Sequence, residues 1–96
     1  CFHVVRLINL SSELVTRDWP HPVGLLWIDG DHGYEGVARD FRCWSPHLLP
    51  GAAVAFDDAV DPTLGPHRLI GELVEARRLV EERRVGKVRV CRFVQA

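Results

Sequence analysis

Leu25-Leu26-Trp27-Ile28-Asp29-Gly30-Asp31-His32-Gly33-Tyr34 decides how this chain is to be read, because an unbroken apolar run empties abruptly into acids, glycines and a histidine. Val54-Ala55-Phe56-Asp57-Asp58 repeats the arrangement, with Asp57 lying 28 residues after Asp29. A short apolar run without alternation fits a strand covered on both faces, as in parallel sheets. Two such strands, each ending in carboxylate, predict a site at the carboxyl edge of one parallel sheet.

Outward from that pair, His3 to Ile8 reads as a strand. Ser11 or Ser12 can cap a short helix over Glu13 to Thr16, which Trp19-Pro20-His21-Pro22 closes. Tyr34, Val37, Phe41, Trp44 and Leu48 recur at steps of three and four and form one side of a helix, with Arg39, Asp40 and Arg42 elsewhere on it. Pro46 and Pro50-Gly51 end that helix and turn the chain into a strand over Ala52 to Phe56. Pro66 opens a further helix whose stripe is Leu69, Ile70, Leu73, Val74 and Val80. Leu79 to Val85 and Lys87 to Val94 form a hairpin about Gly86; Val88, Val90 and Arg92 alternate with Arg89, Cys91 and Phe93, and the period does not say which set faces inward. The predicted order is β-α-β-α-β-α-β-β, mainly parallel with a terminal antiparallel hairpin.

The 96 residues, 47% hydrophobic, suffice for one modest core. Three cysteines, Cys1, Cys43 and Cys91, share no metal-ligand spacing, and a reducing, cytoplasmic setting is the simpler expectation. No apolar stretch approaches the roughly 20 residues of a membrane span. Residues 1–67 hold 4 Arg and 9 Asp/Glu (net −5), whereas residues 68–96 hold 8 Lys/Arg and 4 Glu (net +4). That basic excess lacks an aromatic or groove-reading device, which argues against nucleic acid as a partner.

Carboxylates brought together from two strand ends repel unless a cation joins them. Asp29, Asp57 and Asp58 therefore suggest a divalent ion with oxygen ligands, magnesium before zinc, since zinc favours His and Cys. His32, in a glycine-bounded loop, has the near-neutral pKa of a general base. Helix capping by Asp29, a turn role for Asp58 and a loop hydrogen bond from His32 fit the same residues. Trp19 and Tyr34 flank the edge and can border an aromatic ligand, with packing as the ordinary alternative. Two other function classes share these features: a magnesium-dependent phosphoryl-transfer or receiver-like domain, and a non-catalytic remnant that forms a homo-oligomer through an uncovered sheet edge.

The combination of Leu26 to Val37 with Asp40-Phe41, Trp44, Leu48-Leu49-Pro50-Gly51 and Phe56-Asp57-Asp58 resembles the class I S-adenosylmethionine-dependent methyltransferases. The nearest branch is the small-molecule O-methyltransferases, macrolide-sugar and catechol-like. The resemblance implies the C-terminal half of a Rossmann-like doubly wound α/β sheet. It implies methyl transfer from S-adenosylmethionine to a small-molecule hydroxyl, with Asp29, Asp57 and Asp58 as ligands of Mg2+ and Asp29 and His32 as catalytic residues. Asn9, Ser11, Ser12 and Asp29 are the implied cofactor contacts. The family's glycine-rich turn after its first strand has no counterpart upstream of Asp29, so residues 1–96 are expected to form a partial domain lacking the N-terminal glycine-rich half.

Overall fold

A computed structural model describes residues 3–7, 16, 21–28 and 33–95. In chain order the elements are β1 (His3–Leu7), β2 (Val23–Ile28), α1 (Tyr34–Trp44), β3 (Leu48–Phe56), α2 (Gly65–Glu75), β4 (Leu79–Val85) and β5 (Val88–Phe93). A 3-10 turn, Ser45–His47, joins α1 to β3. Of the helix expected over Glu13 to Thr16, Thr16 alone falls among the described residues; it is helical and buried.

The five strands form one sheet in the order β1-β2-β3-β5-β4. β1, β2 and β3 pair in parallel, and β5 is antiparallel to both β3 and β4. β4 thus runs in the same direction as the first three strands, and β5 alone is reversed. This is the mainly parallel α/β sheet with a terminal antiparallel hairpin that the sequence predicts.

Both helices pack on the same side of the sheet. Val37, Phe41 and Trp44 of α1 and Leu69, Ile70 and Leu73 of α2 join one buried cluster with Leu26, Ile28, Val54, Phe56, Leu79, Cys91 and Phe93. The strand residues in that cluster share one face, because Leu26 pairs with Val54, Ile28 with Phe56, and Val54 with Cys91. The period of two then places Leu25, Trp27, Ala53, Ala55 and Val90 on the opposite face. Leu25, Trp27, Ala53 and Val90 are only half-buried, and among the described residues no helix packs on them.

Three expectations are corrected. Leu48 is the first residue of β3 rather than the last turn of α1, and Pro50-Gly51 lies inside that strand. The two descriptions meet in the register: Val23 pairs with Leu48 and Leu25 with Ala53, so residues 49–52 bulge opposite Gly24, and Gly51 takes a left-handed φ of 83° there. The bulge accommodates a proline that cannot donate to a ladder. Asp40, set apart from the apolar side of α1, is buried together with Val37 and Phe41. Val74 and Val80, placed in the apolar stripe of α2, are exposed, and Val80 belongs to β4. The stripe stops at Leu73 because the chain leaves the helix after Glu75.

The hairpin resolves the ambiguous alternation. Arg89, Cys91 and Phe93 face the helices, and Arg89 is buried, only 6% exposed. Period alone favoured neither set, since burying this one buries an arginine. Edge strand β4 carries Glu81, Glu82, Arg83 and Arg84 in succession, a charged margin that opposes sheet-to-sheet pairing.

Candidate functional site

The carboxyl ends of β1, β2 and β3 lie side by side, because Leu7 pairs with Ile28 and Ile28 with Phe56. The Asp57 amide donates to the Ile28 carbonyl at 3.0 Å, extending the ladder one residue past β3. Asp57 is therefore fixed at the point where the chain leaves β2 for Asp29. Asn9, Ser11, Ser12, Asp29, Asp31, His32 and Trp19 lie outside the described residues.

Asp57 and Asp58 form a tight acidic corner. The Asp58 amide donates to Asp57 Oδ1 at 2.9 Å, and Asp58 has a φ of 53°, a left-handed conformation that aspartate tolerates better than most residues. Their side chains are 18% and 31% exposed, so both carboxylates remain open to the edge.

Two cations from the terminal hairpin complete this corner. Pairing of Phe56 with Arg89 runs β5 antiparallel to β3, which carries the Gly86-Lys87 turn past the carboxyl end of β3. Gly86, with φ 59°, is the first of the two loop residues between paired Val85 and Val88, the position where such turns favour glycine. Lys87 Nζ lies 3.1 Å from Asp58 Oδ1 and 3.8 Å from Asp57 Oδ1. The Ala59 amide donates to the Lys87 carbonyl at 3.0 Å, and buried Arg89 donates through Nη1 to the Ala59 carbonyl at 3.3 Å. Arg89 Nε also donates to Glu81 Oε1 at 3.1 Å. Hydrogen bonds from Arg89, and after it from Arg84, hold the Glu81 carboxyl down at about 2 against burial that acts the other way.

Sequence reasoning missed both cations. Lys87, the only lysine, reads from sequence as a hairpin residue and nothing more. Its signal was topological: a hairpin returning against the last parallel strand brings its tip to that strand's carboxyl end.

The other end of the acid loop is held by close backbone approach. A Cβ on Gly65, the first residue of α2, would lie 2.4 Å from the Tyr34 nitrogen and 2.7 Å from the Gly33 carbonyl carbon. Gly33 caps α1, and the Val37 amide donates to its carbonyl at 3.2 Å. Tyr34 turns toward α2, donating its hydroxyl to Glu72, while the Arg68 guanidinium lies 3.9 Å from its ring centroid. The Glu72 hydrogen bond raises the phenol pKa. That ring is thus engaged by two exposed side chains of α2. Of the other histidines, His47 meets the Trp44 ring edge-on, His21 is exposed and His67 sits half-buried in α2.

Among the described residues, which do not include Asp29, Asp31 or His32, no three metal-binding side chains come together. No helix among them is long and apolar enough to cross a membrane.

The profile of the family described as "Methyltransferase domain" matches residues 1–59, the part holding both acidic strand ends. An uncharacterised protein of Acanthamoeba polyphaga mimivirus is 28% identical over 74 residues, covering 77% of this chain and 32% of that protein. The solved apo structure of a TDP-rhamnose 3'-O-methyltransferase, an enzyme in calicheamicin biosynthesis, superposes with a TM-score of 0.65 at 19% identity, over 84% of this chain and 36% of that one. The chain thus spans about a third of the length of each of these two proteins.

Proposed function

The chain belongs to the methyltransferase domain family, and from that premise we propose that it forms the acceptor-activating half of an S-adenosylmethionine-dependent O-methyltransferase acting on a small-molecule hydroxyl. The observation that carries this reading is the adjacency of the ends of β2 and β3, fixed by the Ile28–Phe56 register and the hydrogen bond from Asp57 to Ile28. It brings the departure points of two acidic segments to one edge.

Bound S-adenosylmethionine supplies the transferable methyl group. In this reading Asp29, Asp57 and Asp58 hold a magnesium ion, whose fit is supported by two partly open carboxylates at one strand end. The ion would make a neighbouring hydroxyl easier to deprotonate, and His32 would take that proton. Asn9, Ser11, Ser12 and Asp29 contact the cofactor. The one-sided core of the described residues supports a partner layer: parallel strands are ordinarily covered on both faces, and the half-buried Leu25, Trp27, Ala53 and Val90 would receive a glycine-rich, cofactor-binding half. Calicheamicin-type sugar hydroxyls are the acceptor class to try first, given the structural neighbour.

Calorimetric titration of the protein with S-adenosylhomocysteine, with and without magnesium, tests the reading. Binding strengthened by magnesium, with methyl transfer lowered at least about 100-fold in His32→Ala, is the expected result. Unchanged turnover in both His32→Ala and Asp57→Asn overturns it.

A further inference from the structure

Lys87 stands where a metal bound by Asp57 and Asp58 would find its charge already balanced. Its ammonium spans the two Oδ1 atoms at 3.8 and 3.1 Å. Adjacent carboxylates repel one another, and a shared cation relieves that repulsion. A magnesium ion coordinates carboxylate oxygens at roughly 2.1 Å, so an ion on the two Oδ1 atoms would face the ammonium as a second cation at close range, and the two would compete for the same oxygens.

We propose that Lys87 is the resident counter-cation of the Asp57–Asp58 pair, and that divalent metal enters this edge by exchange with its ammonium. The inference rests on the metal-assisted reading above and adds to it the group that the metal displaces. Three features make exchange feasible. The Lys87 side chain is 66% exposed on a flexible stem, so its head can move into water. Its backbone stays in place, since its carbonyl accepts the Ala59 amide and Gly86 sets the turn. The Asp57–Asp58 corner keeps its geometry through the Asp58 amide and the Asp57-to-Ile28 hydrogen bond, neither of which involves the ammonium. Lys87 therefore acts as a positioning residue that keeps two acids together until metal arrives, at the expense of metal affinity.

Manganese(II) binding, followed by the electron paramagnetic resonance signal of the free ion, reads this directly without turnover. Lys87→Met is expected to bind manganese about two- to fivefold more tightly than the parent at low ionic strength, in keeping with an exposed ion pair, and Lys87→Arg about as the parent does. Thermal unfolding gives a second readout: metal-free Lys87→Met melts below the parent, and saturating magnesium raises its Tm more than that of the parent. Equal or weaker manganese binding by Lys87→Met overturns the exchange while leaving the metal site standing. No binding by either protein overturns the metal reading and the exchange with it.

Discussion

Arg89 shows what one residue can decide. It is buried on the helix-facing side of β5, where an unpaired guanidinium would be costly, and Glu81 answers it across the hairpin. Removing one partner of such a pair strands the other, so Glu81→Ala should cost about 3 kcal/mol of folding stability, measured by urea unfolding. The Glu81 carboxyl is lowered to about 2 from an ordinary 4.5. A depressed acid stabilises the fold above its unfolded pKa and loses that contribution as the pH falls through the folded one. Stability should therefore decline between about pH 4.5 and pH 2 in the parent, and this part of the decline should vanish in Glu81→Gln. Cys91 offers a contrast in the same strand. Fully buried, its thiol is pushed up to about 11, whereas Cys43 is only half-buried. In a Cys1→Ser background, a disulfide reagent at pH 8 should label Cys43 and spare Cys91 until denaturant is added, as intact-mass spectrometry will report. The sequence gives no warning of Arg89 in a core, because alternation has a period but no preferred face.

Elements were legible wherever apolar spacing was unambiguous. The runs ending at Ile28 and Phe56 marked two parallel strands, and Val37, Phe41 and Trp44 marked α1. Legibility failed at the joint between α1 and β3, where Leu48 continued the helical step and yet opens a strand. Pro46 within the 3-10 turn breaks the helix there, and spacing cannot register a break that leaves the apolar rhythm intact. The candidate site was legible as acids at strand ends but not as a charge-balanced corner, since Lys87 reaches it only through the reversal of β5. Contact between elements also escaped notice at Gly65, whose missing side chain lets α2 press on the backbone of Gly33 and Tyr34. Gly65→Ala should push the start of α1 away and cost about 1 to 3 kcal/mol, read from the shift in urea midpoint at constant m-value. Because Gly33 ends the segment that begins at Asp29, the same variant should lose methyl transfer beyond what its stability explains.

On the scale of the molecule, the core formed by the described residues is one-sided. Helices α1 and α2 bury one face of the sheet, while Leu25, Trp27, Ala53 and Val90 stay half-buried on the other. A hydrophobic dye should bind residues 1–96 produced alone, and Leu25→Asp with Val90→Asp should abolish that binding at little cost to the fold. In a longer protein whose further layer covers this face, the same pair of changes should be strongly destabilising. The strand order carries one last implication. β5 lies between β3 and β4, so the sheet holds an empty lane until Phe93 has left the ribosome. A nascent chain halted at Gly86 has β4 made but no neighbour for it to grip, and the acids at 57 and 58 wait without their lysine. Assembly of this edge thus waits on β5, the keystone without which β4 has no strand to pair with.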